Sequence, residues 1–177
     1  YGENIKVEII GMKTDELNMD KDLKNSKQYD IVFHGANHEA KGIYYTIELA
    51  KYLKDYTIFI PENRESIKYD GIFPSNIVFE SVSWNTGLKE LVINAKLVLN
   101  PSVWSAPVEG ALIKSIYYNG NVAVPITQYG FVNDIPYDCL LRLTNDIQES
   151  AKVIDSFLLS RNSFKKKSQT WLEDFLN

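Results

Sequence analysis

The chain has 177 residues, enough for one good hydrophobic core and short for two. Hydrophobic residues make up 45% and charged residues 24%, which argues against an extensively disordered chain, and a net charge of −4 without a basic stripe argues against nucleic acid as partner. A single cysteine, Cys139, permits no internal disulfide, and His34 and His38 without a Cys/His cluster make a structural zinc site an unsuitable reading.

No apolar run approaches the ~20 residues of a bilayer span. The opening Tyr1-Gly2-Glu3-Asn4 is neither a signal peptide nor a start methionine, and reads as the beginning of a piece excised from something longer. Residues 13–27 are polar and charged, the composition of a linker or exposed loop. From Tyr29 onward, short apolar runs alternate with helical patterns, the sequence form of βαβ units around a parallel sheet.

Asp30-Ile31-Val32-Phe33-His34 has strand length and ends at Gly35; the helix after it carries Ile43, Ile47, Ala50 and Leu53 at three- and four-residue spacing. Residues 56–60 form a second strand closed by Pro61, a polar loop runs to Pro74, and residues 76–79 form a third strand. Asn85 or Thr86 is expected to cap a helix carrying Leu88, Leu91 and Val92. Leu97-Val98-Leu99 is a short buried strand that breaks at Pro101. A helix over residues 111–118 stops at Asn119-Gly120, and residues 121–124 and 139–143 add two strands, with Cys139 a buried, inert thiol in the second. Thr144 or Asn145 is expected to cap a helix holding Ile147, Ala151, Ile154 and Leu158, and residues 164–176 close the fold as a helix whose Lys165-Lys166-Lys167 run is its solvated face.

About six parallel strands with flanking helices predict a single α/β domain, a doubly wound Rossmann-like sheet. Ligands of such a sheet gather at the loops leaving the carboxyl ends of strands, here residues 35–42, 61–74, 80–84, 101–110 and 125–135. Neither G-x-G-x-x-G nor a Walker pattern occurs, so a dinucleotide dehydrogenase and a P-loop phosphoryl transferase are both disfavoured.

Several motifs in these loops form a consistent order. Phe33-His34-Gly35 followed after five residues by Lys41-Gly42, the strand-helix-strand ending in Pro101-Ser102, Trp104-Ser105-Ala106-Pro107-Val108-Glu109-Gly110 before a helix, Gly120-Asn121-Val122-Ala123-Val124, and Tyr129-Gly130 with Asp134-Ile135 together resemble the C-terminal, donor-binding domain of retaining GT-B glycosyltransferases of the group 1 (family 4-like) type. The strand and glycine over residues 5–11 are similar to the opening of that domain. The resemblance implies an opening strand and linker over 1–28, a core over 29–160 and a closing helix over 161–177.

The function the resemblance implies is binding of a nucleoside diphosphate sugar, UDP- or GDP-linked, for transfer with retention to a glycan or lipid-linked acceptor, as in cell-surface polysaccharide synthesis. No cofactor or metal is expected; the acceptor half is expected in a missing N-terminal domain, and the fragment alone is expected to be inactive. The expected location is the cytoplasm, with at most peripheral contact at the inner face of the membrane.

Lys41, after a strand and at a helix start, supplies a positive charge for a diphosphate beside backbone amides; its alternative is a solvated helix-start lysine. Gly35 lets a loop approach phosphates, or is an ordinary tight turn. Glu109 is the candidate catalytic carboxylate, placed to bond sugar hydroxyls or to complement the helix dipole, and Gly110 allows close approach. Ser102 bonds locally or reaches a phosphate. The family's two glutamates, eight positions apart, fall here on Ala106 or Pro107 and on Lys114 or Ser115, and the arginine after its first glycine is Ala36. Lys114 and Ser115 are therefore donor-binding candidates with altered ribose recognition. His34 is expected to be a hydrogen-bonded structural group and His38 an exposed one. Trp104 and Pro107 shape their loop, and Tyr44-Tyr45 and Tyr117-Tyr118 pack. Two other readings are a fold-retaining binding or scaffold module without turnover, and a sugar-nucleotide epimerase, whose additional catalytic acids are not found.

Overall fold

The computed structural model of the chain describes residues 28–105 and 108–176. The expected opening strand, the polar linker and two of the positions compared with glutamate, Ala106 and Pro107, lie outside the described residues.

Six short strands form one parallel sheet: β1 (Ile31–Phe33), β2 (Ile58–Ile60), β3 (Ile77–Phe79), β4 (Leu97–Leu99), β5 (Val122–Pro125) and β6 (Leu141–Leu143). They are nearly unbroken runs of Ile, Val, Leu and Phe because helices cover both faces, so that neither side of a strand meets water. The period-two alternation sorts the residues onto two cores. Val32, Phe59, Val98, Val122 and Val124 point to the side of α2 (Leu88–Asn94), α3 (Gly110–Tyr118) and α5 (Lys165–Leu176). Ile31, Phe33, Ile58, Ile60, Leu97, Leu99 and Ala123 point to the side of α1 (Ile43–Ala50) and α4 (Ile147–Leu159).

The strand order is β3-β2-β1-β4-β5-β6, the doubly wound Rossmann-like order expected from the alternation of elements. The chain builds outward from β1 to β3, then returns to place β4 on the other side of β1. The helices that follow β1 and β4 therefore pack on opposite faces of the sheet, and the loops leading to them border the crevice at the point of reversal.

Three local expectations are corrected. Neither Asn85 nor Thr86 caps α2. Both lie inside a 3-10 turn over Trp84–Thr86, where Thr86 Oγ1 accepts from Ser83 N at 2.8 Å, and α2 begins only after Gly87. The cap of α4 is Asp146 rather than Thr144 or Asn145: its Oδ1 accepts from Gln148 N at 2.8 Å and Glu149 N at 3.0 Å, because only that carboxylate reaches the open amides. Cys139 is buried as expected, but in a 3-10 turn over Tyr137–Cys139 ahead of β6 rather than on the strand; burial and the neighbouring Asp138 push its thiol up.

The closing helix docks on α3, and Gly120 makes that possible. It takes φ 84°, and a Cβ there would sit 2.6 Å from Lys165 Cα. Within the lysine run, Lys167 pairs with Asp138 at 2.8 Å. Among the described residues, no helix is long and apolar enough to cross a membrane.

Candidate functional site

At the floor of the site the sheet ladder continues just past the strand ends. His34 N donates to Leu99 O between β1 and β4, and Asn100 N to Ala123 O between β4 and β5, both at 2.9 Å. The buried Asn100 side chain then ties the two strand ends together, its Nδ2 donating to His34 O at 2.8 Å. A polar residue closing an all-apolar strand was the sequence signal for Asn100, and it was not among the candidates.

Two loops meet above this floor. After β1, His38 Nδ1 accepts from Ala40 N and caps a 3-10 turn over Glu39–Lys41. Gly42 then reverses the chain at φ 79°, with the space for a Cβ filled by Pro101 O at 2.4 Å. Val103 N, in the loop after β4, donates to Ala40 O at 2.9 Å, so the loops are stitched directly to each other.

That stitching brings together three of the candidate residues. Lys41 Nζ donates to Glu109 Oε1 at 2.6 Å, and Ser102 Oγ donates to Glu109 Oε2 at 3.1 Å. The ammonium also lies 5.3 Å from the centre of the Trp104 ring. Glu109 is buried and is the N-cap residue of α3, yet its side chain makes no capping bond to the helix. The first intrahelical bond is Ile113 N to Glu109 O, which leaves the amides of Gly110, Ala111 and Leu112 without an intrahelical acceptor. One carboxylate thus faces a cation and a hydroxyl beside an uncapped helix start.

Gly110 has nothing within 4 Å of where a Cβ would stand, so packing does not require a glycine there. Gly35 differs: a Cβ there would meet its neighbour's ring, Phe33 Cζ, at 2.7 Å. Its packing role is local, in keeping with the tight-turn alternative.

Deeper in the crevice, Ser115 is fully buried on α3 and lies under the site rather than in its wall. Its hydroxyl donates to Ala111 O at 2.8 Å and meets His34 Nδ1 at 2.8 Å. A hydroxyl has one proton, so His34 must donate from Nδ1, which fixes its tautomer. The Trp84 ring stacks on His34, with centroids 5.2 Å apart and planes 9° from parallel, and Lys114 Nζ lies 4.9 Å from the Trp84 ring centre. Burial first, and the Lys114 charge second, push His34 down to about 4, so the imidazole is neutral at physiological pH. Sequence reasoning counted the loop holding Trp84 among the strand-end loops but did not single out the ring. The expected hydrogen-bonded His34 is found.

The loop after β5 also borders the site. A recess beside Glu109 is lined by Asn100, Ser102, Thr127 and Gly130. Arg142, on β6, holds this loop by donating to Val132 O at 3.1 Å and Ile135 O at 2.8 Å.

No family model matches the chain, and no curated protein matches its sequence. Among solved structures, the fold is similar to that of AviGT4, a glycosyltransferase involved in Avilamycin A biosynthesis, at TM-score 0.50 and 13% identity over 85% of this chain and 51% of that one. The chain spans about half the length of that enzyme. At such identity the likeness is one of fold.

Proposed function

We propose that the chain is the donor-binding part of a two-domain, GT-B-type glycosyltransferase, holding a nucleoside diphosphate sugar in the β1–β4 crevice while a second domain presents the acceptor. The observation that carries this reading is the meeting of Lys41, Ser102 and Glu109 at the uncapped start of α3, in the crevice where the strand order reverses. The likeness of fold to a glycosyltransferase supports it.

The chemistry fits the demands of glycosyl transfer. As the glycosidic bond breaks, negative charge grows on the diphosphate leaving group. Lys41, Lys114 and the amides of Gly110, Ala111 and Leu112 put positive charge and hydrogen-bond donors along one side of the crevice. The Glu109 carboxylate, held in place by Lys41 and Ser102, is the acceptor this reading offers to sugar hydroxyls. Its carboxylate and a diphosphate share Lys41, so donor binding redistributes that cation between two anions.

Calorimetric titration of the chain with UDP, GDP and their sugars tests the reading. Binding of one nucleotide in the micromolar to millimolar range, weakened about tenfold by Lys41→Ala and by Glu109→Ala, is the expected result. A folded chain that binds none of them refutes it in favour of a scaffold module.

A further inference from the structure

We propose that His34 is a ligand-binding residue, whose Nε2 accepts a hydrogen bond from a hydroxyl of the molecule held in the crevice. The inference rests on the donor-binding reading and names a contact within that site.

The imidazole's Nδ1 is committed to Ser115, whose own proton goes to Ala111 O. Nε2 then carries the lone pair of a neutral ring, and no hydrogen bond is made by it among the described residues. The buried side-chain polar atoms left without a partner there are Glu90 Oε2 and Arg142 Nε, and His34 Nε2 is not one of them. His34, just past the carboxyl end of β1, is 7% exposed as a whole residue, and its open nitrogen is not among the atoms sealed in the core without a partner.

Three neighbours fix this acceptor in place. Asn100 anchors the His34 carbonyl, Ser115 sets the tautomer, and the Trp84 ring lies parallel to the imidazole. A neutral imidazole nitrogen is a strong acceptor with no proton to offer, so it selects for a donor group. Nucleoside diphosphate sugars carry hydroxyl donors in two places, the ribose and the transferred sugar.

The test uses the nucleoside diphosphate that binds the wild-type chain, its 2′-deoxy and 3′-deoxy forms, and its glucose conjugate. His34→Asn is the variant, because the Asn amide can still donate to Ser115 while the Nε2 acceptor is gone. About tenfold weaker binding of the parent nucleotide by the variant, with one deoxy form bound equally by variant and wild type, assigns the contact to that ribose hydroxyl. A loss seen only with the glucose conjugate assigns it to the sugar. The ¹⁵N resonance of wild-type Nε2, followed during titration, is expected to move to lower frequency as it accepts a proton donor. That readout holds even if His34→Asn fails to fold. Unchanged affinity in a folded variant, or a motionless Nε2 resonance under saturating ligand, overturns the inference alone. A wild-type chain that binds no nucleotide overturns the donor-binding reading and this contact with it.

Discussion

Lys41 Nζ and Glu109 Oε1 stand 2.6 Å apart, joining residues sixty-eight positions distant in sequence across the point where the sheet reverses direction. The pair is asymmetric in burial: the lysine side chain is 24% exposed and the glutamate 9%. Removing the cation therefore leaves a nearly buried carboxylate held, among the described residues, by Ser102, whereas removing the carboxylate lets the ammonium turn toward water. Lys41→Met is expected to cost about 1–2 kcal/mol in chemical denaturation, and Glu109→Gln less. The double variant should cost less than the two single losses combined. Equal, additive losses would show that the two residues do not act as a pair.

Titration of His34 predicts a specific loss of stability in acid. Its folded-state value of about 4 lies below its ordinary 6.5, so the unfolded chain takes up the proton first. Stability should be insensitive to this group above pH ~6.5 and fall as pH drops from ~6.5 toward ~4, by about 3 kcal/mol over the window. The charged group facing the ring is Lys114, with Ser115 and Trp84 as its other contacts. Urea denaturation at several pH values should give a shallower acid decline for His34→Asn than for the wild type. Parallel curves would contradict a buried neutral imidazole.

Gly42 and Gly110 flank the same site and should respond oppositely to an added methyl group. Gly42→Ala meets both a left-handed φ of 79° and Pro101 O at 2.4 Å, and is expected to destabilise the fold by about 2–4 kcal/mol. Gly110→Ala meets nothing within 4 Å and begins a helix, so thermal unfolding should be unchanged or slightly raised. A nucleotide that approaches the amides at the start of α3 would be hindered by that methyl, and weaker binding by a stable Gly110→Ala chain is the expected titration result.

The cap of α4 separates two neighbouring polar residues. Asp146→Ala removes the acceptor of two helix-start amides and should cost about 1 kcal/mol. Asn145→Ala should lie within about 0.5 kcal/mol of the wild type in the same denaturation measurement. The reverse order would restore the cap expected from sequence.

Much of the architecture was legible in the residues themselves. Strands buried on both faces must be apolar throughout, and helices packed on them must repeat at three and four residues, so Ile31-Val32-Phe33 or Ile147, Ala151 and Ile154 announce their structure locally. Lys41, Ser102 and Glu109 were findable for the same reason: each follows an apolar run, at the end of the sheet where loops carry ligands. What chain order alone could not decide is which partner wins among several polar groups within reach. Thr144, Asn145 and Asp146 are all competent caps, and only the path of the backbone selects Asp146. Ser115 reads as a surface hydroxyl at a plausible ligand position, but the packing of α3 on the sheet places it beneath the site and converts it into the group that sets His34's tautomer. Short-range pattern determines elements because it reflects burial along one segment; the pairing of Lys41 with Glu109, and of Ser115 with His34, depends on segments that meet only when the sheet closes around its point of reversal.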